Sequence, residues 1–505
     1  MESHSGEPCW SKSILPKFDP ISDNGNFDVV IIGAGITGLT AAYLLTKAGV
    51  KVCVLERDEI AAGDTGKTTA HLTIVTDPDL PSLVSTFEKE GAVLAWEAGA
   101  IAIDAIESIS REANIECEFN RVPAYRHLSF QGNESSDRNL RKEFELVQEL
   151  GFNAEYVEAI PIIGKPGIRF MNQAIIHPTK YLRGLANSIF DNGAVIHEHS
   201  EVTAIEGTPC KVKVNGVEVI ADKVIVATHV PLMGKSGLVR SGTFQSKLAG
   251  YSTYAIQGRL KEDQSAASYW DTGDPYHYLR IDNGEGNGRV ILGGSDHKTG
   301  QVSDTKPCIE HLEELLRSIF PTVVIERAWT GEVIESNDGL PFIGEIEKGQ
   351  FIATGFSGTG MTFGTFAAIM AREWVQGKNN VWQDLFSIER AAIRNAPLHY
   401  IKENVDYPYY MLMDRVSAES GRRPVDPGKG RIERRGNDYL AVACDDHGTC
   451  FEVSGICTHL GCLVRWNSAG KTWDCPCHGS RFKIDGSVIE GPAETPLELH
   501  RKYQK

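Results

Sequence analysis

Two short runs near the C-terminal end, Cys457-Thr-His459-Leu-Gly-Cys462 and Cys475-Pro-Cys477-His478-Gly-Ser480, constrain this 505-residue chain more than any other feature. Cys457-x-His459 and Cys475-x-x-His478 each offer one thiolate and one imidazole on a loop, a four-ligand set suited to a metal centre. Tetrahedral zinc uses the same residue types, but two features argue against it. Cys462 and Cys477 stand one beside each ligand run, so a disulfide could tie the loops together, which a zinc knuckle does not need. Gly461, Gly479 and Ser480 let backbone N–H groups and a hydroxyl approach cluster sulfurs, hydrogen bonding that tunes a redox centre and is idle at zinc. The runs therefore predict an iron–sulfur cluster.

These residues closely resemble the Rieske family, of the disulfide-bearing kind found in respiratory quinol-oxidising complexes. The resemblance covers residues 409–505 and implies an all-β domain with one [2Fe–2S] cluster. It places Cys457 and Cys475 on one iron, His459 and His478 on the other, and a disulfide between Cys462 and Cys477. Neutral imidazoles in place of two thiolates favour the reduced state, and Rieske centres run from about −150 to +300 mV against about −400 mV for plant-type ferredoxins. Ser480 matches the family serine that hydrogen-bonds a bridging sulfide, whereas Phe482 stands where high-potential members carry a tyrosine. Gly491-Pro492-Ala493 resembles the family's proline loop over the cluster.

A second chemistry opens the chain. Val29–Ile32 reads as a buried strand, followed by Gly33-Ala-Gly35-Ile-Thr-Gly38 and an apolar helical pattern. In this spacing Gly33 makes the tight turn, Gly35 admits a pyrophosphate to the backbone, and Gly38 allows close helix–strand packing. A second strand, Lys51–Leu55, ends in Glu56, placed to accept ribose hydroxyls. The motif, strand, helix and acid together predict dinucleotide binding.

The remainder specifies the dinucleotide. A Gly/Thr-rich loop, Ala61–Thr73, carries Thr68 and Thr69, whose hydroxyls suit phosphate and flavin oxygens; Lys211–Ile220 reads as a hairpin around Asn215-Gly216. Ser336–Ile346 precedes a strand, a glycine-rich turn with Gly355, Gly358, Gly360 and Met361, and a helix reaching Trp374. Here the chain resembles the D-amino-acid-oxidase-like FAD oxidoreductases, which include glycine and sarcosine oxidases. The resemblance implies an α/β, glutathione-reductase-like Rossmann domain over 27–396 binding FAD, with the helix after Gly360 aimed at the flavin. An inserted α+β substrate subdomain is expected at 116–157 and 246–329, and a last helix at 387–396. A polar segment over 1–26 precedes these parts, and a linker over 397–408 leads to the Rieske domain. The uncharged run from Gly349 to Ala371 also has the length of a membrane span, but its five glycines and four threonines argue against one.

Two departures from the oxidases matter. The run before Asp338-Gly-Leu-Pro341 carries Glu332 and Glu335, and no carboxylate-binding arginine is evident. No cysteine lies between Cys308 and Cys444, so FAD is expected to be non-covalent. Tyr276, Tyr278 and Arg280 alternate on one face of a predicted strand and are the candidate substrate residues; Asp296, His297 and His71 are weaker ones.

The net charge of −16 lies in the first 400 residues and disfavours nucleic acid as a partner. With no signal-peptide pattern, the expected compartment is cytoplasmic, a setting that sits awkwardly with a disulfide. The combined reading is a flavin enzyme that oxidises a C–H alpha to an amine, in an amine or amino acid, and hands electrons through the cluster to an unidentified acceptor. An amine oxidase using dioxygen beside a structural Rieske domain, and a non-catalytic FAD/Rieske electron carrier, remain alternatives.

Two measurements follow from the sequence. Because Phe482 offers no hydroxyl, potentiometric titration should place the cluster below the quinol-oxidising members; a value at the top of the family range, about +300 mV, contradicts this. Acid precipitation should release the flavin into the supernatant, and flavin remaining on the pellet contradicts non-covalent binding.

Overall fold

The computed structural model describes residues 6–11, 13–129, 134–231, 247–283, 288–390, 410, 419–421 and 424–504. The linker expected at 397–408 lies outside them.

The apolar run at Val29–Ile32 forms the middle of a mixed sheet. Strand Gly25–Ile32 pairs in parallel with Val52–Leu55 on one side and Val217–Val226 on the other, and Val195–His197 and Gln350–Thr354 extend it. Its side chains from Val29 to Ile32 are buried, as the core of a parallel sheet requires. Helix Ile36–Lys47 leaves this sheet through the glycine motif. A Cβ at Gly38 would lie 1.9 Å from the Gly33 carbonyl oxygen, so only glycine lets the helix pack this closely. The expected hairpin forms, with Asn215 and Gly216 both at positive φ, the geometry of a type I′ turn.

Helix Gly360–Val375 packs on Ile36–Lys47, where a Cβ at Gly364 would meet Thr37 Oγ1 at 2.7 Å. Its buried apolar face is core, and no described helix is long and apolar enough to cross a membrane. A long helix, Leu80–Glu112, is capped by Asp79, which accepts from Ser82 N, and breaks at Glu88, where φ is 63°. The expected last helix at 387–396 does not form over its described part: Ser387–Arg390 is a turn, and 391–396 are outside the described residues.

A nine-stranded sheet stands over the first. Its strands run in the order Val324–Ser336, Leu248–Arg259, Arg289–Lys298, Tyr278–Asp282, Ala267–Asp271, Asn120–His127, Gly167–Ile175 and His71–Leu72, with Ala154–Val157 paired to Gly167–Ile175. This second layer is wider than the expected segments, because Gly167–Ile175 and the end of Val324–Ser336 complete it. The N-terminal segment is also not merely polar: Trp10 is fully buried and donates to the Thr68 carbonyl at 2.6 Å.

The C-terminal domain is two small β-sheets. One joins Gly430–Arg435, Asp438–Cys444, Thr449–Ser454 and Leu499–Gln504, with Glu419–Ser420 at its edge; the other joins Arg465–Asn467, Thr472–Asp474, Arg481–Phe482 and Val488–Glu490. Two disulfides are present among the described residues. Cys462–Cys477 is the expected one, and Cys444–Cys450 joins opposed positions at the end of a hairpin.

Candidate functional site

The two ligand loops are built alike. Cys457 N donates to Cys462 O and Cys475 N to Ser480 O, both at 2.8 Å, while Gly461 N and Gly479 N close each turn on the carbonyls of Cys457 and Cys475 at 3.0 Å. Gly461 and Gly479 have φ of 81° and 76°, a conformation that favours glycine. The loops bring the four expected ligands together: the His459 and His478 rings are 4.9 Å apart and nearly perpendicular, and Cys457 and Cys475 are hydrogen-bonded through their thiols. That bond, opposed by burial and aided by Ser480, lowers the Cys457 thiol to about 7. Two converging thiols and two converging imidazoles fit a [2Fe–2S] cluster with mixed ligation.

The supporting residues fit as well. Ser480 is buried and accepts from Ala493 N at 3.1 Å, which seats the Gly491–Ala493 loop on the cluster loop. A Cβ at Gly491 would lie 2.5 Å from Ser480 Cα. Phe482 is fully buried in the same core and supplies no hydroxyl.

Across the interface, one cavity of about 1550 Å³ runs through the flavin part. Its lining includes Gly33, Gly35, Glu56, Thr68, Thr69, Gly358, Gly360 and Met361. Gly33, at φ 104°, lies against the Ala227 carbonyl, which a Cβ would approach to 2.5 Å. Thr65 Oγ1 accepts from Ile36 N at 3.2 Å, tying the threonine loop to the start of the first helix. Glu56 accepts from Ala34 N at 2.7 Å and Asp58 N at 2.9 Å, and burial raises its carboxyl above the usual range. Helix Gly360–Val375 turns its N-terminus to the cavity with no acidic residue in its first turn, leaving a positive helix end there. The glycine approach, the carboxylate and the volume fit a dinucleotide. Gly38 and Gly355 stand behind the wall and shape it, Gly355 packing on Leu248 and Ser336.

The candidate substrate residues part company. Tyr276, Tyr278, Asp296 and His71 line the cavity, and burial lowers His71 to about 3. Arg280 does not line it. Its guanidinium is fully buried, donates to the carbonyls of Thr69, Ala70 and Ile176, and pairs with Asp282 at 2.8 Å. Trp10 covers it from outside, its ring 5.2 Å from the Arg280 and 4.8 Å from the Arg289 guanidinium carbon. Arg280 thus holds the threonine loop and cannot contact substrate. His297 bonds Tyr254 Oη and is likewise structural.

Sequence reasoning missed the charged seam between the domains. Lys67 Nζ lies 3.6 Å from both Asp64 and Glu490, Arg481 donates to Glu490 at 2.7 Å, and His229 Nδ1 is 3.0 Å from Asp64. Arg57 donates to the Ile489 carbonyl at 2.6 Å and Arg481 to Thr330 Oγ1 at 3.3 Å. Burial works to raise Asp64, yet Lys67 and His229 bring it well below the usual range; Glu490 is raised by burial and by the Asp64 charge. Glu332, raised well above its usual range by burial and then by Glu490, reaches from the cavity to the cluster loop. A Cβ at Gly479 would meet Glu332 Oε1 at 3.0 Å and Gly250 Cα at 3.2 Å. No local spacing signals contacts between residues so far apart in the chain.

Replacing Arg280 with alanine leaves Asp282 with Arg289 alone and the carbonyls of Thr69, Ala70 and Ile176 without their donor, and should lower stability by about 1–3 kcal/mol in a urea titration of the holoprotein. An unchanged midpoint with a raised KM would return Arg280 to the substrate site.

Comparisons with known proteins agree with this geometry. Residues 28–374 match the FAD dependent oxidoreductase family, and residues 421–501 match the Rieske [2Fe-2S] domain. A Bacillus subtilis (strain 168) protein named as a Rieske 2Fe-2S iron-sulfur protein, YhfW, is 31% identical over 501 residues, covering 97% of each chain. The cytochrome b6-f complex iron-sulfur subunit of Chlorobaculum tepidum is 42% identical over 77 residues, 15% of this chain and 42% of that one. Glycine oxidase from Geobacillus kaustophilus superposes with a TM-score of 0.62 at 16% identity, over 73% of this chain and all of that one, a likeness of fold. The chain belongs to the FAD dependent oxidoreductase family, and carries a Rieske [2Fe-2S] domain at its C-terminal end.

Proposed function

We propose that this enzyme oxidises a C–H bond alpha to an amine and passes the electrons, one at a time and within one chain, from its flavin domain to its Rieske domain. The observation that carries this reading is the shared cavity: Val488–Thr495 of the Rieske domain line the same space as the glycine motif and the Gly360–Val375 helix end. Bound there, FAD supplies a hydride acceptor, and the [2Fe–2S] cluster supplies a one-electron acceptor.

The chain's own residues supply position and electrostatics. The helix end at Gly358–Met361 favours negative charge beside it. Tyr276, in the loop just before strand Tyr278–Asp282, and Tyr278, at its start, wall the space in which a substrate would lie. Glu332 and the Gly250–Gly479 contact form the packed bridge between cavity and cluster loop. The ion pairs of Glu490 with Lys67 and Arg481 tie the two sides of that bridge together. The fold likeness to glycine oxidase supports a substrate bearing an amine.

Anaerobic mixing of the holoprotein with a reactive amine should bleach flavin first and cluster second, at a rate independent of protein concentration. A cluster that stays oxidised until dioxygen or a second protein is added would favour the oxidase or the carrier.

A further inference from the structure

Apart from the two cofactor sites, two imidazoles converge behind the cavity wall. His277 lies in the loop just before strand Tyr278–Asp282, and His311 on helix Lys306–Ile319, 34 positions farther on. Their Nε2 atoms are 3.3 Å apart. That is longer than a well-formed N–H hydrogen bond, about 2.7–3.2 Å. It is the spacing of two imidazole nitrogens on one tetrahedral ion: with metal–nitrogen bonds of about 2.0–2.1 Å, the nitrogens stand roughly 3.3–3.4 Å apart. The ring centroids are 5.3 Å apart, closer than a head-on approach at that nitrogen separation would leave them, so the rings meet at an angle.

One of the two rings is held in place from the cavity side. Asp271 Oδ2 lies 3.1 Å from His277 Nδ1, while Asp271 Oδ1 accepts from the backbone N–H groups of Gly273 at 2.8 Å and His277 at 3.2 Å. A carboxylate only accepts, so it places the ring proton on Nδ1 and turns the Nε2 lone pair toward His311. Carboxylate, histidine and metal in that order is the arrangement that orients an imidazole ligand and raises its basicity. His277 also rests on the backbone of Gly294, where a Cβ would meet its Cδ2 at 3.0 Å. Asp271 is buried, the His277 side chain is 18% exposed and His311 is exposed, so an ion from solution reaches the nitrogens while their support stays inside the protein. Glu314, three residues on from His311, shares its face of the helix and is exposed. Water and that carboxylate are left to fill the remaining positions.

We propose that His277 and His311 bind one divalent transition-metal ion of the imidazole-preferring class to which zinc, copper and nickel belong, with Asp271 as the residue that positions His277. Bound there, the ion fastens helix Lys306–Ile319 to residues 271–278, which carry Asp271, Tyr276 and Tyr278 of the cavity wall. The site uses neither flavin nor cluster and is independent of the amine-oxidising reading.

The test titrates zinc chloride into holoprotein loaded with FAD and cluster, so that Cys457, His459, Cys475 and His478 are already engaged, and reads the binding by calorimetry. One zinc should bind per chain. His311→Ala, a change at an exposed position, should weaken that binding at least tenfold with flavin and cluster absorbance unchanged. Asp271→Asn should weaken it by a smaller factor, with both histidines still present. Zinc should slow amide hydrogen exchange over residues 271–278 in the wild type and not in His311→Ala. No zinc bound by the wild type, or equal affinity in wild type and His311→Ala, overturns the proposal and leaves the histidines a hydrogen-bonded pair. Wild-type affinity in Asp271→Asn overturns the positioning role, and unchanged exchange in the zinc-bound wild type overturns the tie to the cavity wall.

Discussion

Glu490 is the carboxylate on which the arrangement of the two domains depends. It belongs to the Rieske domain, is half-buried at the seam, and is gripped by Arg481 from its own domain and Lys67 from the flavin domain. Moving the Rieske domain away would take Glu490 from Lys67, leaving that ammonium to Asp64 alone, and would also break the Arg57–Ile489 and Arg481–Thr330 bonds. The seam thus fixes where the cluster loops lie relative to the cavity, the placement on which the proposed electron path within one chain rests.

The same seam gives the proline loop a second task. Gly491 packs on Ser480 while Val488–Thr495 line the flavin cavity, so one segment packs on the cluster loop and forms part of the cavity wall. A surface that could otherwise admit a diffusing reductant is turned toward the flavin domain. The lack of a hydroxyl at Phe482 is consistent with a centre that receives electrons from flavin and does not need to oxidise quinol.

Legibility from sequence followed the range of the interactions. The cluster loops, the glycine motif and the Asn215-Gly216 hairpin are set by residues within a few positions of one another, and each appears where spacing predicts it. The alternation of Tyr276, Tyr278 and Arg280 put all three on one face, and the two tyrosines line the cavity. It failed at Arg280 because what covers that residue comes from distant segments, Thr69–Ala70, Ile176 and Trp10, and converts a candidate site residue into a structural clamp. The seam of Asp64, Lys67, His229, Glu332 and Glu490 was invisible for the same reason. The Cys444–Cys450 bond spans a short turn, but cysteines at such a spacing need not pair, and only the hairpin register sets these two opposite each other.

The central claim is that flavin and cluster sit close enough in one chain to act as a single electron path. Electron paramagnetic resonance of the holoprotein, reduced so that flavin and cluster each hold one unpaired electron, tests it most directly. The account predicts magnetic coupling that broadens and speeds the relaxation of the flavin signal, persists on dilution, and is lost when Glu490→Ala opens the seam. Two independent spectra, each the same as that of its isolated centre, would contradict it.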